Sequence, residues 1–238
     1  MSQINVFLSA TLDRMPWKNG GGVTRQVVCH PPGTTINNFD WRISIADISS
    51  SGPFSLFPGV NRSLTLLSGP GVQLTSDDAH GAPVHTLDSL LAPYSFSGDV
   101  PLYSTLIRDG GHCRDFNVMV RRTIGSPQVS LFTASSAHAA ADAEGRDTVT
   151  WKLPQNGAVF VCAGRWRLTE PDGTCHCLSK PMDATATSAS TADAGADSSL
   201  SSTHDGAHWA ALGSGYTLDA ASEDAMALTV TIAPAVNE

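Results

Sequence analysis

A chain of 238 residues, 41% of them hydrophobic, is long enough to bury a core as one domain or as two small ones. Its formal charge of −8 comes from residues 123–238, which hold five basic and thirteen acidic side chains, whereas residues 1–122 hold nine of each. That balance argues against nucleic acid or an anionic membrane as partner, and it directs any anion-binding role to the arginines of the first half.

Along the chain, short alternating apolar runs punctuated by 21 glycines and 14 prolines predict strands. They fall at Ile4–Leu8, Val23–Cys29, Trp41–Asp47, Ser63–Leu67, Leu102–Ile107, Phe116–Val120, Gln128–Phe132, Thr148–Leu153, Ala158–Cys162, Arg165–Thr169 and Ala227–Ile232. No stretch has the period of a long helix. The pattern predicts an all-β chain, and Asn156-Gly157 reads as a hairpin turn between two apolar runs. Residues 183–206 hold six alanines, six serines, four threonines and a single large apolar residue, Leu200, and are expected to form a mobile insertion. Ala134–Asp147 has a similar composition over a shorter length.

No apolar run approaches the ~20 residues of a membrane span, and the amino terminus lacks a signal-peptide pattern. Five irregularly spaced cysteines do not suggest a disulfide framework, so the expected location is cytoplasmic.

Three segments carry the chemistry. In Met15–Arg25 three consecutive glycines stand between Lys18 and Arg25, which reads either as a plain hairpin turn at Asn19-Gly20 or as a loop shaped to contact something. In Trp41–Asp47, strand alternation puts Arg42, Ser44 and Ala46 on one side. In Cys113–Met119 it gathers Asp115, Asn117 and Met119. Such polar strips face either solvent or an interior cavity.

The order PWKNGGGVTR, FDWRISIADI, GPFSLFPGVNRSLTLLSG, CRDFNVMVRR, spanning Met15 to Arg122, resembles the HutD/Ves family of small bacterial proteins with a double-cupin fold. The resemblance implies a bicupin, two antiparallel jelly-roll β-barrels in one chain, with residues 1–122 as a ligand-carrying lobe and 123–238 as a second lobe. It also favours the cavity over the solvent face. The ligand-binding set is then Trp17, Lys18, Asn19, Gly20, Gly21, Thr24, Arg25, Arg42, Ser44, Asp115 and Asn117. Guanidinium groups bind carboxylates bidentately and Asn offers a donor and an acceptor, so the expected partner is a small carboxylate-bearing metabolite. Urocanate, formiminoglutamate and formylglutamate, intermediates of histidine degradation, suit that description. Some of these arginines have the alternative of pairing with Asp40, Asp47 or Asp115 as structural ion pairs.

No metal or cofactor is expected. The cupin metal motif needs His-x-His and a Glu, but no two of the eight histidines are so spaced and the first 143 residues contain no glutamate. Phosphate-loop, dinucleotide and nucleophile-elbow motifs are missing, and no catalytic residue is assigned. The sequence therefore favours a binding protein, a sensor or accessory factor. The alternatives are a metal-independent isomerase or hydrolase with Asp115 as general base, and a protein–protein interaction module. The number of chains in the assembly is left open.

Overall fold

The computed structural model describes residues 5–8, 12–76, 81–134, 150–152, 157–180, 202–205, 207–211 and 216–235. The chain divides into two compact units, Thr11–Ser130 with Ile232–Glu238 and Met1–Ala10 with Leu131–Thr231. All regular elements are strands, and there is no α-helix among the described residues.

In chain order these are β1 (Asn5–Leu8), β2 (Arg14–Pro16), β3 (Gly22–His30), β4 (Trp41–Ile48), β5 (Gly52–Pro53), β6 (Val60–Ser68), β7 (Val72–Ser76), β8 (Pro83–Leu87), β9 (Pro93–Ser97) and β10 (Leu102–Leu106). There follow β11 (Cys113–Arg121), β12 (Gly125–Thr133), β13 (Thr150–Lys152), β14 (Ala158–Thr169), β15 (Cys175–Lys180), β16 (Ser202–Asp205), β17 (Ala207–Ala211), β18 (Thr217–Ala220) and β19 (Met226–Pro234).

The first unit contains a six-stranded sheet in the order β2-β3-β4-β11-β6-β9 and a four-stranded sheet, β5-β10-β7-β8. Every pair within them is antiparallel. Alternating apolar residues of both sheets meet in a core that includes Ile48, Leu64, Leu66, Leu74, Leu87 and Leu102, each at most 2% exposed. Cys113 lies in the same core. Its sulfur exchanges hydrogen bonds with the Gly71 backbone, and burial raises its thiol pKa. It is a packing residue rather than a nucleophile.

The second unit is built on a nine-stranded sheet in which β14 pairs with β15, β17, β18 and β19. Val159, Val161, Trp166, Leu168 and Leu178 fill its core.

Three differences from the sequence reading have physical causes. The predicted runs Ala158–Cys162 and Arg165–Thr169 are one strand, because Gly164 adopts a φ of +71° and lets β14 bend without ending. The expected turn at Asn156-Gly157 begins within residues 153–156, which lie outside the described residues; on either side of it, β13 pairs with β18 and Ala158–Phe160 of β14 pairs with β17 and β19. An Asn-Gly pair signals a turn and leaves the partner of the next strand to non-local contacts. β8 and β9 each begin at a proline, a position where a strand does not need the missing N–H but where the residue reads as a breaker in sequence. Of the stretch 183–206, residues 202–205 form β16, parallel to β15; its other residues, and all of 135–147, lie outside the described residues.

Gly22, which opens β3, is fixed by close approach. A Cβ there would stand 2.5 Å from the Asp47 carbonyl oxygen and 3.0 Å from the Trp17 ring. We expect Gly22→Ala to cost about 1–3 kcal/mol of folding stability through this backbone clash. An unchanged midpoint of urea unfolding would contradict the close contact.

Candidate functional site

The six-stranded sheet writes its polar residues in rows. Alternation along β4 puts Arg42, Ser44 and Ala46 on one face, and the register with β11 sets Met119, Asn117 and Asp115 directly opposite them. β6 continues the rows with Arg62, Leu64 and Leu66, and β3 supplies Gln26 beside Ser44 and Thr24 beside Ala46. A cavity of about 610 Å³ lies over this face. Its rim comes from β2 and the turn after it (Met15–Asn19), from Ile36, and from the segment Pro53–Ser55 with Phe57.

Within the cavity, the charged groups are buried and incompletely answered by the protein. Arg42 is 3% exposed, and its guanidinium donates to neutral acceptors: Gln26 Oε1 at 3.1 Å, Ser44 Oγ at 3.0 Å and the Met119 sulfur at 3.9 Å. Burial lowers its pKa, with Cys29 opposing. Arg62 is 5% exposed and packs against Phe54, Phe57 and Phe96 at 5.0–5.4 Å from the ring centroids. Its Nη1 donates to the Ser55 carbonyl at 3.3 Å, while its Nε has no protein partner. Burial brings its pKa down to about 10, Asp115 opposing and Arg42 adding to the effect.

Asp115 is 3% exposed, and burial raises its pKa to about 7. Attraction by Arg62 and a backbone hydrogen bond from Ala46 oppose the rise, and Asp47 adds to it. The Oδ1 atoms of Asp115 and Asn117 are both buried without a hydrogen-bond partner in the protein. Such atoms cost free energy unless something answers them, and several in one cavity point to a ligand surface.

Of the residues singled out in the sequence, Trp17, Lys18, Asn19, Thr24, Arg42, Ser44, Asp115 and Asn117 line this cavity. Trp17 Nε1 donates to Thr24 Oγ1 at 2.7 Å, fastening the rim to the floor. Lys18 and Asn19 are exposed at the mouth. Gly20 and Gly21 do not line it. They build the turn instead, where the Gly21 N–H donates to Asn19 Oδ1 and the Gly21 carbonyl accepts the N–H groups of Ser49 and Ser50.

Arg25 is a correction. Thr24 and Arg25 are neighbours on β3 and point to opposite faces, so Arg25 lies behind the sheet in an ion pair with Asp47. Arg114 Nε reaches the other oxygen of Asp47 at 2.7 Å, and these hydrogen bonds outweigh burial to keep the Asp47 pKa low. Asp47 is therefore occupied, and among the described residues neither Arg42 nor Arg62 has a carboxylate within ion-pair distance.

Arg62 is the main residue the sequence reading missed. Its signal was available, since it shares strand parity with Leu64 and Leu66 and must face inward with them.

Among the described residues, no group of three His, Cys, Asp or Glu side chains is placed to hold a metal. His176 of β15 pairs with Glu170 at 2.7 Å.

A family model described as HutD matches residues 9–198. Protein Ves of Citrobacter koseri is 38% identical over 164 residues, covering 67% of this chain and 75% of that protein. An uncharacterised 21.2 kDa protein in the hutC 3' region of Pseudomonas putida is 34% identical over 162 residues, covering 62% and 82%. The structure of HutD from Pseudomonas fluorescens SBW25 superimposes with a TM-score of 0.56 at 25% identity, covering 97% of this chain and 94% of that one. Among solved structures of lower identity, the shared fold is cupin-like.

The Asp115 environment has a consequence for stability. Its pKa is about 7 when folded and near the ordinary aspartate value of about 4 when unfolded, so the folded chain holds the extra proton between these limits. Stability is therefore lost as pH rises from about 4 to 7 and is level above. Asp115→Asn removes the effect. It is expected to match the parent near pH 4 and to exceed it at pH 8, by on the order of 4 kcal/mol at most, in urea unfolding across that range.

Proposed function

We propose that this chain, which belongs to the HutD family, is a metal-independent cupin that binds a small carboxylic acid in its first lobe, as an intracellular sensor or accessory protein. The reading includes the finer fold, two jelly-roll barrels of which the first holds the ligand. The observation that carries it is Arg42, a guanidinium buried at a cavity wall and hydrogen-bonded only to neutral groups. A buried cation without a carboxylate is costly unless an anion completes it. The neighbouring acceptors Asp115 and Asn117 suit an acid that also carries N–H or O–H groups. Urocanate, formiminoglutamate and N-formylglutamate combine these features. The hut designations of the two Pseudomonas relatives support looking first among histidine-degradation intermediates.

A second reading is favoured by Asp115 itself. A buried carboxyl with a pKa of about 7 is matched to general-base chemistry at neutral pH, as in a metal-independent isomerase or hydrolase. Incubating each acid with the protein and following it by proton NMR separates the readings, because a bound but unaltered acid sinks the enzyme.

In a thermal-shift screen, one of the three acids is expected to raise the unfolding midpoint by mass action. Arg42→Met is expected to weaken binding of that acid by roughly 2–4 kcal/mol in calorimetry. Urea stability without ligand should be unchanged or higher, because no protein carboxylate is stranded. A loss of stability without a selective loss of affinity would make Arg42 a structural residue and displace the site.

A further inference from the structure

The charges facing the cavity do not balance. Arg42 and Arg62 stand on either side of Met119 in one cross-strand row, and each guanidinium disfavours the charge of the other. Among the described residues Asp115 is the single cavity carboxyl; it lies two rows along β11 from that line, and its Oδ1 has no protein partner. Among the described residues, the other titratable groups around Asp115 add no compensating cation inside. Cys113 shares its strand face, Asp47 of β4 lies behind the sheet and opposes its ionisation, and Cys29 of β3 is opposite Arg42. Lys18 is exposed at the mouth. Two buried guanidiniums thus have between them one carboxyl, at a distance, poised between its two protonation states.

Resting on the binding reading above, we infer that the site takes a dicarboxylate as its dianion while Asp115 is held as the neutral acid, so that binding above neutral pH draws a proton from solvent. Two carboxylates answer two guanidiniums. A third negative charge on the same wall, away from water, would oppose them, and the neutral carboxyl is the form that tolerates the neighbourhood. In that form Asp115 gains an O–H donor for a ligand carbonyl or carboxylate oxygen. The N–H of Ala46 continues to hold the carboxyl in place. The proton comes from bulk water, and no other bond is made or broken.

The sign follows from linkage. Below about pH 7 free Asp115 is already protonated and affinity for the dianion is level with pH; above it, each bound ligand must bring a proton, and affinity falls by up to tenfold per pH unit.

The test is isothermal calorimetry with two defined probes, glutarate and its half-amide glutaramate, in MOPS and bis-tris propane buffers at the same pH. The two buffers have different heats of ionisation and so count protons. With glutarate we expect uptake of about 0.9 proton per ligand at pH 8, falling to about a quarter at pH 6.5. Glutaramate, with one carboxylate, should bind at least tenfold more weakly. Asp115→Asn, which keeps a donor and removes the titration, should bind glutarate at pH 8 at least as tightly as the parent, with no proton uptake. Glutarate binding without proton uptake overturns the inference and leaves the carboxylate site standing. So does equal affinity for glutaramate, or a folded Asp115→Asn that no longer binds. If glutarate fails while urocanate, which has a single carboxylate, is the acid of the thermal screen that binds, the dianion assignment alone is wrong. If no acid binds, the site itself is wrong.

Discussion

Everything distinctive about the first unit follows from the register between β4 and β11. A strand offers its side chains to two faces in strict turn, and the pairing Arg42–Met119, Ser44–Asn117, Ala46–Asp115 aligns the polar members of both strands on the same one. A slip of one residue in either strand would send that strand's set to the other face, where Ile43, Ile45, Phe116 and Val118 are buried. The apolar side of the sheet therefore enforces the polar side. Hydrophobic burial supplies the free energy that keeps two guanidiniums and a carboxyl out of water.

The reverse face carries its own electrostatic solution. Asp47 receives Arg25 from β3 and Arg114 from β11, tying three neighbouring strands across β4 at a partly exposed site. These charges satisfy one another. Those on the cavity face do not, although they are carried by the same strands. Two residues along β4 separate a paired Asp47 from Ser44 and its unanswered neighbours, so the contrast lies in which way side chains point and not in which residues are nearby in sequence.

That distinction also explains how much could be read without coordinates. β4 and β11 were legible because their alternation is strong, and with them came Arg42, Ser44, Asp115 and Asn117. The same rule applied to β3 would have separated Thr24 from Arg25, and applied to β6 it would have turned Arg62 inward. The glycines between Lys18 and Arg25 looked like ligand contacts because close approach of backbone serves both purposes. Gly22 approaches Asp47 and Trp17, and Gly21 holds Ser49 and Ser50. What no local pattern encodes is the order of strands in the second unit. There β18 comes between β13 and β14, a choice made by contacts distant in sequence.

Arg62 joins two structures that would otherwise vary independently. Its guanidinium is packed among Phe54 and Phe57 of the rim segment and Phe96 of β9, and its Nη1 holds the Ser55 carbonyl, while the same group faces Asp115. A lysine there would bring a point charge to a place that needs a flat cation broad enough for three rings. Anything that shifts the Arg62 guanidinium therefore shifts the rim with it, so the mouth of the cavity and its floor respond to a ligand as one unit.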